Sequence, residues 1–554
     1  MKTLLFKIYF LFFIGLITIS GCTKLESKIY SRLPTEEFFA DPKAVDNAQD
    51  LVTIAMPELG NGEQIRLSNA SGGQLLNLFN RQTDNSSSYM KDAYLHNFDK
   101  NLRKQPWNLM WTRDFYAGIS KANLTLAELE SLKTKSKNIR KVIADIKVAR
   151  AYFFLQVLDC FGNAPLDTLF GADPKTVKTN SRLEIYNFVE KELRENIPFL
   201  DTRTNPKNRM NKYVGYAMLA QLYLNAQVYS GTAAWDKVVA PCDSVLKGPY
   251  SLTSNYFSNF EEENATSENM LLAFRNIGKV NTFILENLHE KGAPAIGVKG
   301  AGWSAFVGSA DAYNIYDAAD KRRNMWLVGP QREAAGSERI IDGVPNTGPL
   351  IKFIAKVRVP GSVPVRVIDS LVTLNHQVAT PRFGITVNNP RLADLEIERM
   401  VGVRNVKYYP KSGIVLQNEQ MSNDYVLLRL ADVILMKAEA LVRLGNSSAA
   451  KAELDKITTR AYGSSNFNIL NPTIEDIYNE RYREFMWEGH SRRDNIRFEI
   501  ANPSTPYWSK ARPPLKPNAD TGPIGPGRFN NMLYPIPAEQ LLLNPRLVQN
   551  PGYN

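Results

Sequence analysis

The sequence is poor in the residues that build disulfide scaffolds and metal centres. Its 554 residues hold only three cysteines, at 22, 160 and 242, with no CxxC or zinc-type pair and too few thiols for a disulfide framework. Its four histidines are isolated, and without an HExxH the chain offers no pattern for catalytic zinc. It also lacks a GxSxG nucleophile elbow and a GxxxxGKS phosphate cradle, the marks of two large enzyme classes. Lys and Arg are interleaved with Asp and Glu, with no run of five basic residues, so the formal charge of +11 makes no stripe for nucleic acid. No apolar run of 18 residues follows Cys22, so a membrane-spanning helix is not expected after it.

What is present is an ordinary globular composition, 44% hydrophobic and 22% charged, which excludes disorder, collagen-like repeats and coiled-coil rods as whole-chain readings. Aromatics are plentiful, with 7 Trp, 24 Tyr and 26 Phe. They supply packing surface and also flat faces on which sugars dock. At about 150 residues per domain the length would allow three or four domains, although larger single units are common.

The N-terminus reads as an export signal with an anchor. Lys2 and Lys7 precede an apolar stretch from Ile8 to Ile19, short of the ~20 residues a membrane-spanning helix needs. It ends in Ile19, Ser20, Gly21 and Cys22, which resembles the lipobox of bacterial lipoproteins, where the cysteine is acylated and becomes the first residue. Residues 1–21 are then a leader, 22–30 a tether and 31–554 the body. Loss of Lys2 and Lys7 lowers the formal charge to +9. Several acyl chains make a firm anchor, because each buried CH₂ contributes ~0.8 kcal/mol and one chain alone holds marginally. Cys160 and Cys242, in or near apolar helical runs, are expected to be buried and inert.

Hydrophobic periodicity predicts a mainly α fold of tetratricopeptide-like helix pairs carrying long, loop-rich, partly β insertions. Val142, Ile146, Ala149, Phe153 and Val157 recur at three- and four-residue steps within Lys141–Phe161, which Gly162 closes. Further helices are expected over 183–200, 213–229, 235–246, 426–444 and 449–458. Ala438, Leu441, Ala450 and Leu454 sit at the offsets where small residues let paired helices approach. Four pairs result: 35–56 with 107–130, then 139–200, 211–247 and 426–459. Residues 60–105 and 265–425, rich in Gly, Asn, Ser and Pro, form the excursions, where function usually resides.

The C-terminal part is charged. Arg429 and Asp432 at i, i+3 are expected to pair on a helix face, and Glu480, Glu484 and Glu488 at steps of four would repel unless Arg481, Arg483, Arg492 or Arg493 neutralise them. Nearby arginines depress a carboxylate pKa, whereas a glycosidase acid needs it raised, so the cluster reads as an ion-pair lattice and not a catalytic pair. The prolines in Tyr534–Pro537 and at Pro545 and Pro551 predict an extended segment wrapped over the helix pairs.

These blocks carry a resemblance. Pro34 to Phe39, then Trp111, Tyr116, Ile119 and Asn123, then Arg150 and Ala151 with Phe161 to Pro165, resemble the N-terminal pattern of the SusD/RagB family of outer-membrane nutrient-uptake lipoproteins. Leu428 to Val433 with Ala438, Glu439 and Ala440, the Glu480–Asp494 element, and Tyr534 to Tyr553 resemble its C-terminal signature. Leu430 stands where that family usually has Tyr, and His490 with Ser491 where it often has a basic residue.

The resemblance implies a protein on the outer membrane, lipid-anchored through Cys22 and facing the cell exterior. It would bind a nutrient, a glycan or oligosaccharide foremost and a peptide as the alternative, and deliver it to a SusC-like TonB-dependent transporter. No catalysis, cofactor, metal or nucleic-acid partner is implied; a surface glycoside hydrolase and a structural adhesin are the competing readings. The family's ligand sites are built before the Trp111 helix and near 270–320, which nominates Asp84, Asn85, Tyr89 and Tyr94 in the first region and Trp303, Phe306 and Tyr313 in the second. Trp303 heads this set because Gly300, Gly302 and Ser304 leave its ring short of local packing partners.

Overall fold

The computed structural model describes, with short gaps, residues 106–131, 137–273, 287–335, 345–354, 403–410, 423–463, 469–507 and 532–553, together with the backbone of a few short strands. The expected helix at 35–56 and the anchor at Cys22 lie outside the described residues.

Nine helices of eight residues or more organise what is described: α1 Tyr116–Ser131, α2 Lys137–Phe161, α3 Arg182–Asn196, α4 Lys212–Leu224, α5 Val239–Leu246, α6 Leu430–Arg443, α7 Ser447–Tyr462, α8 Ile474–Glu484 and α9 Ser491–Ala501. They pack as successive neighbours, α1 on α2, α2 on α3, α4 on α5 and α6 on α7. The predicted helix-pair architecture is therefore observed.

Several helices have a local reason to start or stop. Ser181 caps α3 and Thr473 caps α8 through reciprocal capping boxes with Glu184 and Asp476, satisfying backbone N–H groups that would otherwise lack acceptors. Gly162 ends α2 at φ 70°, and a Cβ there would strike Leu533 and Arg182; only glycine takes both the conformation and the space. α2 is the central rod, with Val142, Ile146, Phe153, Val157 and Phe161 all buried. Ala438 and Ala450 are fully buried where α6 meets α7.

Two boundaries differ from the sequence reading. Val426–Arg429 is not the start of a helix; Tyr425–Arg429 is a strand that pairs antiparallel with Asn269–Ala273 and leads directly into α6. A run of β-branched and leucine residues reads equally as buried strand or helix, and the partner strand some 160 positions earlier decides. In the C-terminal segment, Ala538–Leu543 forms a short helix directly after Pro537, a position from which proline can lead into a helix. The rest runs extended along the end of α2, with Tyr534 N–H donating to Cys160 O (2.8 Å) and Asn550 Nδ2 to Phe161 O (2.6 Å).

The strands are short and pair two by two; those nearest the excursions include β1 Leu75–Asn77, β2 Asn269–Ala273, β3 Phe306–Gly308, β4 Trp326–Leu327, β5 Arg404–Asn405 and β6 Tyr425–Arg429. β1 pairs with β3, β4 with β5 and β2 with β6, all antiparallel. Gly308 N–H also donates to Val403 O (2.9 Å), linking β3 to the start of β5.

Candidate functional site

The two excursions nominated from sequence meet in the backbone. Leu75 lies opposite Gly308, Leu76 opposite Val307 and Asn77 opposite Phe306, so the segment before the Trp111 helix and the segment near 300 share one small sheet. Gly308 is required at the junction. A Cβ there would overlap the Trp326 ring and crowd Val403, and Trp326 packs edge-on against Trp487 with ring centroids 5.9 Å apart.

Of the nominated ligand residues, Asp84, Asn85, Tyr89, Tyr94 and Trp303 lie outside the described residues. Phe306 is placed by its backbone, as the residue of β3 opposite Asn77. Tyr313 is on the short helix Ala310–Asn314 and is half-buried. Arg323 holds it: Nη2 and Nε donate to the phenol oxygen at 2.6 and 3.1 Å, and the guanidinium lies over the ring, 4.8 Å from its centroid. Tyr313 is thus fixed in orientation and engaged on one face.

Behind this face stands a buried ionic cage that the sequence reading only partly anticipated. Arg322 hydrogen-bonds Asp320, Glu480 and Glu484, each at 2.7 Å. Arg429 reaches Glu268 (2.8 Å), Glu484 (2.6 Å) and Glu488 (2.8 Å), and Lys407 reaches Glu488 (2.5 Å). Arg460 pairs with Glu268 at 2.7 Å and with Glu484. These side chains are all at most a few per cent exposed. Arg429 is on β6 and does not pair with Asp432; Arg481 takes Asp432 (3.0 Å) and Asp494 (2.8 Å) instead. Of the four arginines proposed to neutralise the glutamates, only Arg483 does so, at Glu480 (2.7 Å); Arg492 goes to Asp159 (3.1 Å). The cations that do the work come from 322, 407, 429 and 460, distant in sequence.

The electrostatics follow from this packing. Burial alone would raise the Glu484 carboxyl, but Arg460, Arg429 and Arg322 outweigh it and hold the group well below the usual carboxylate range. Glu480 and Glu488 are held down in the same way, by Arg322 with Arg483 and by Arg429 with Lys407. Burial pushes His490 down to about 4 despite Asp432 nearby. His289 is pushed to about 3 by burial together with Arg404 and Lys291, and its Nδ1 accepts from Lys291 N–H at 3.0 Å. Carboxylates fixed as anions and imidazoles fixed as neutral rings suit a rigid support better than proton transfer at neutral pH.

The cage joins body to excursion. Arg322 and Lys407 come from the loop-rich part, Arg460, Glu480 and Glu484 from α7 and α8, and Tyr316, two residues after the Ala310–Asn314 helix, donates to Arg483 O at 2.8 Å. Trp487, at the bend between α8 and α9, sits at φ 67°, an uncommon conformation for a bulky residue that its buried packing enforces. Excursion and scaffold are thus fixed to each other through buried charges.

Among the described residues no helix is long and apolar enough to cross a membrane, and no three His, Cys, Asp or Glu side chains are grouped to hold a metal ion. Cys160 and Cys242 are buried and form no disulfide, in line with the expected burial.

Comparison with known proteins gives a consistent picture. A family model described as "SusD family" matches residues 287–553, and one described as "Starch-binding associating with outer membrane" matches residues 25–224. The starch-binding protein SusD of Bacteroides thetaiotaomicron is 26% identical over 451 residues, covering 78% of this chain and 76% of that protein. SusD-like protein P2 of Formosa agariphila is 22% identical, covering 98% of this chain and 99% of its own. Among solved structures, a laminarin-binding SusD-like protein superposes with a TM-score of 0.65 at 19% identity, covering 92% of this chain and 99% of that one. Surface glycan-binding protein A from Bacteroides uniformis gives 0.65 at 18% identity with the same coverage.

Proposed function

Since the chain belongs to the SusD/RagB family, we infer that it is a glycan-capturing protein of the bacterial cell surface that hands its ligand to a SusC-like TonB-dependent outer-membrane transporter. The supporting observation is the β1–β3 pairing, which brings both nominated excursions to one edge, next to the helix that presents Tyr313. A sugar offers an apolar ring face for stacking and hydroxyls for hydrogen bonds. Trp303, Phe306, Tyr313, Tyr89 and Tyr94 supply the aromatic faces in this reading, and Asp84 and Asn85 the polar partners. Related proteins named for starch and laminarin binding make a neutral glucan the first ligand to try.

Binding without chemistry is the reading favoured by the cage, whose glutamates are committed to arginines. The leader 1–21, the Cys22 anchor, the tether 22–30 and the single body 31–554, with a 31–230 N-terminal part, a 265–425 ligand-binding excursion and a 426–554 C-terminal part, complete the proposal. Native gel electrophoresis through immobilised starch or laminarin tests the capture, retardation being expected. Purification from membranes tests the hand-over: a barrel protein should co-purify, and migration unaffected by every polysaccharide would contradict the glycan reading.

A further inference from the structure

A second cation-rich place lies on the helical body, apart from the loop platform. A cavity of ≈110 Å³ opens between the end of α2, the start of α3, α9 and the segment at 532–533. One water occupies ~10–15 Å³ on this measure, so the space takes a small polyatomic guest. Its floor is apolar, with Ile496 and Met532 buried and Val228 and Ile500 packed against them. Its polar lining includes Arg182, Arg493 and Asp159.

Cations outnumber acids in the lining. Asp159 is the one acid of the lining, and both of its oxygens are committed: Oδ2 to Arg492 Nη1 at 3.1 Å, Oδ1 to the Tyr229 hydroxyl at 2.9 Å. Among the described residues no carboxylate oxygen lies within 4.0 Å of the Arg182 or Arg493 guanidinium. The Nε of each is buried and has no acceptor. Arg493 spends its terminal nitrogens on the Gln221 amide oxygen and on His490 Nδ1 (3.1 Å), which leaves its Nε edge unused. Arg182 lies over the Tyr229 ring, 5.6 Å from its centroid. Three guanidinium groups therefore surround one carboxylate beside an open cavity. Arg182 and Arg493 are half-buried, and a guanidinium whose Nε–H is shut off from water without an acceptor is suited to a planar or tetrahedral oxyanion.

We propose that this cavity binds a small oxyanion, a sulfate or carboxylate group, between the Nε edges of Arg182 and Arg493. The guest is either a free inorganic ion or the acidic group of a sugar acid, and the site is independent of the glycan platform.

Calorimetric titration of the full chain in detergent with sodium sulfate and with sodium glucuronate, at ionic strength held constant with NaCl, tests this. Saturable binding of at least one anion is expected, weakened at least tenfold in Arg182→Gln and in Arg493→Gln and unchanged in Arg194→Gln, whose side chain on α3 is 67% exposed. Tighter binding of sulfate assigns the site to an inorganic ion; tighter binding of glucuronate assigns it to an acidic sugar. Should Arg493→Gln not fold, Arg182→Lys decides, since it keeps the charge and loses the Nε donor. Absence of binding by either anion, or equal binding by wild type and both Arg182 variants, overturns the proposal.

Discussion

Arg429 and Glu488 face each other with two parallel hydrogen bonds, Nε to Oε2 and Nη2 to Oε1, each 2.8 Å long, in a region sealed from water. Arg429 stands at the end of β6 and Glu488 in the bend between two helices, so this fork ties the β2–β6 ribbon to the helical body. Without Arg429, Glu488 is left to Lys407 alone and Glu484 and Glu268 each lose one cation; breaking a buried pair costs ~3–5 kcal/mol. Arg429→Met should lose about that much in denaturant unfolding, with a lower midpoint. A loss under ~1 kcal/mol, the range of surface pairs, would mean that the cage is not structural.

Acid should weaken the protein in two stages. His490 is neutral when folded, with its pKa pushed from 6.5 to about 4, so the unfolded chain binds the extra proton and stability falls as pH drops from 6.5 towards 4. Glu480, Glu484 and Glu488 have folded values below the usual 4.5; their contribution is complete above 4.5 and is lost as pH falls through the folded values. Unfolding free energy measured from pH 8 to 3 should be nearly flat above 7, decline from about 6.5 and steepen below 4.5. His289, pushed down to about 3, adds to the same stage, so replacing His490 with Asn should make the upper slope shallower without abolishing it; an unchanged slope there would remove His490 as a cause.

Close approach of α6 and α7 depends on small side chains. Ala450 is fully buried, and Ala450→Leu should overpack the contact at a cost of ~1–3 kcal/mol. Leu454→Ala on the same helix should cost ~2–5 kcal/mol through the cavity it leaves. Chemical denaturation checks both, and tolerance of Ala450→Leu would show that the helices have room to spare.

How much of this was legible in the sequence depends on how far apart the interacting residues lie. The helix pairs were, because apolar positions three and four residues apart declare a buried face locally, as along α2. Arg429 was misread: its neighbours Val426 to Leu428 suit helix or strand, and only pairing with Leu271 and Leu272 settles the matter. The glutamates at 480, 484 and 488 were recognised as an ion lattice, yet Arg322 and Lys407, more than 70 positions away, could not be assigned to them by spacing. Tyr313 was singled out as a loop aromatic, but its clasp by Arg323 depends on the turn of helix between them.

The proposed lipid anchor at Cys22 is tested apart from folding. Cys22→Ser should move the protein from the membrane fraction to the soluble fraction and abolish incorporation of radiolabelled palmitate. Retention in the membrane fraction with label still incorporated would place the acylation elsewhere.

Glycan capture at the joined excursions is the central claim, and calorimetry tests it most directly. Starch and laminarin oligosaccharides titrated into the wild-type chain should give saturable heat with at least one of them, and Trp303→Ala should weaken that binding by tenfold or more, as expected for the loss of one ~1–3 kcal/mol stacking contact, while thermal stability is unchanged. Equal affinity in wild type and Trp303→Ala, or no heat with any oligosaccharide, would contradict it.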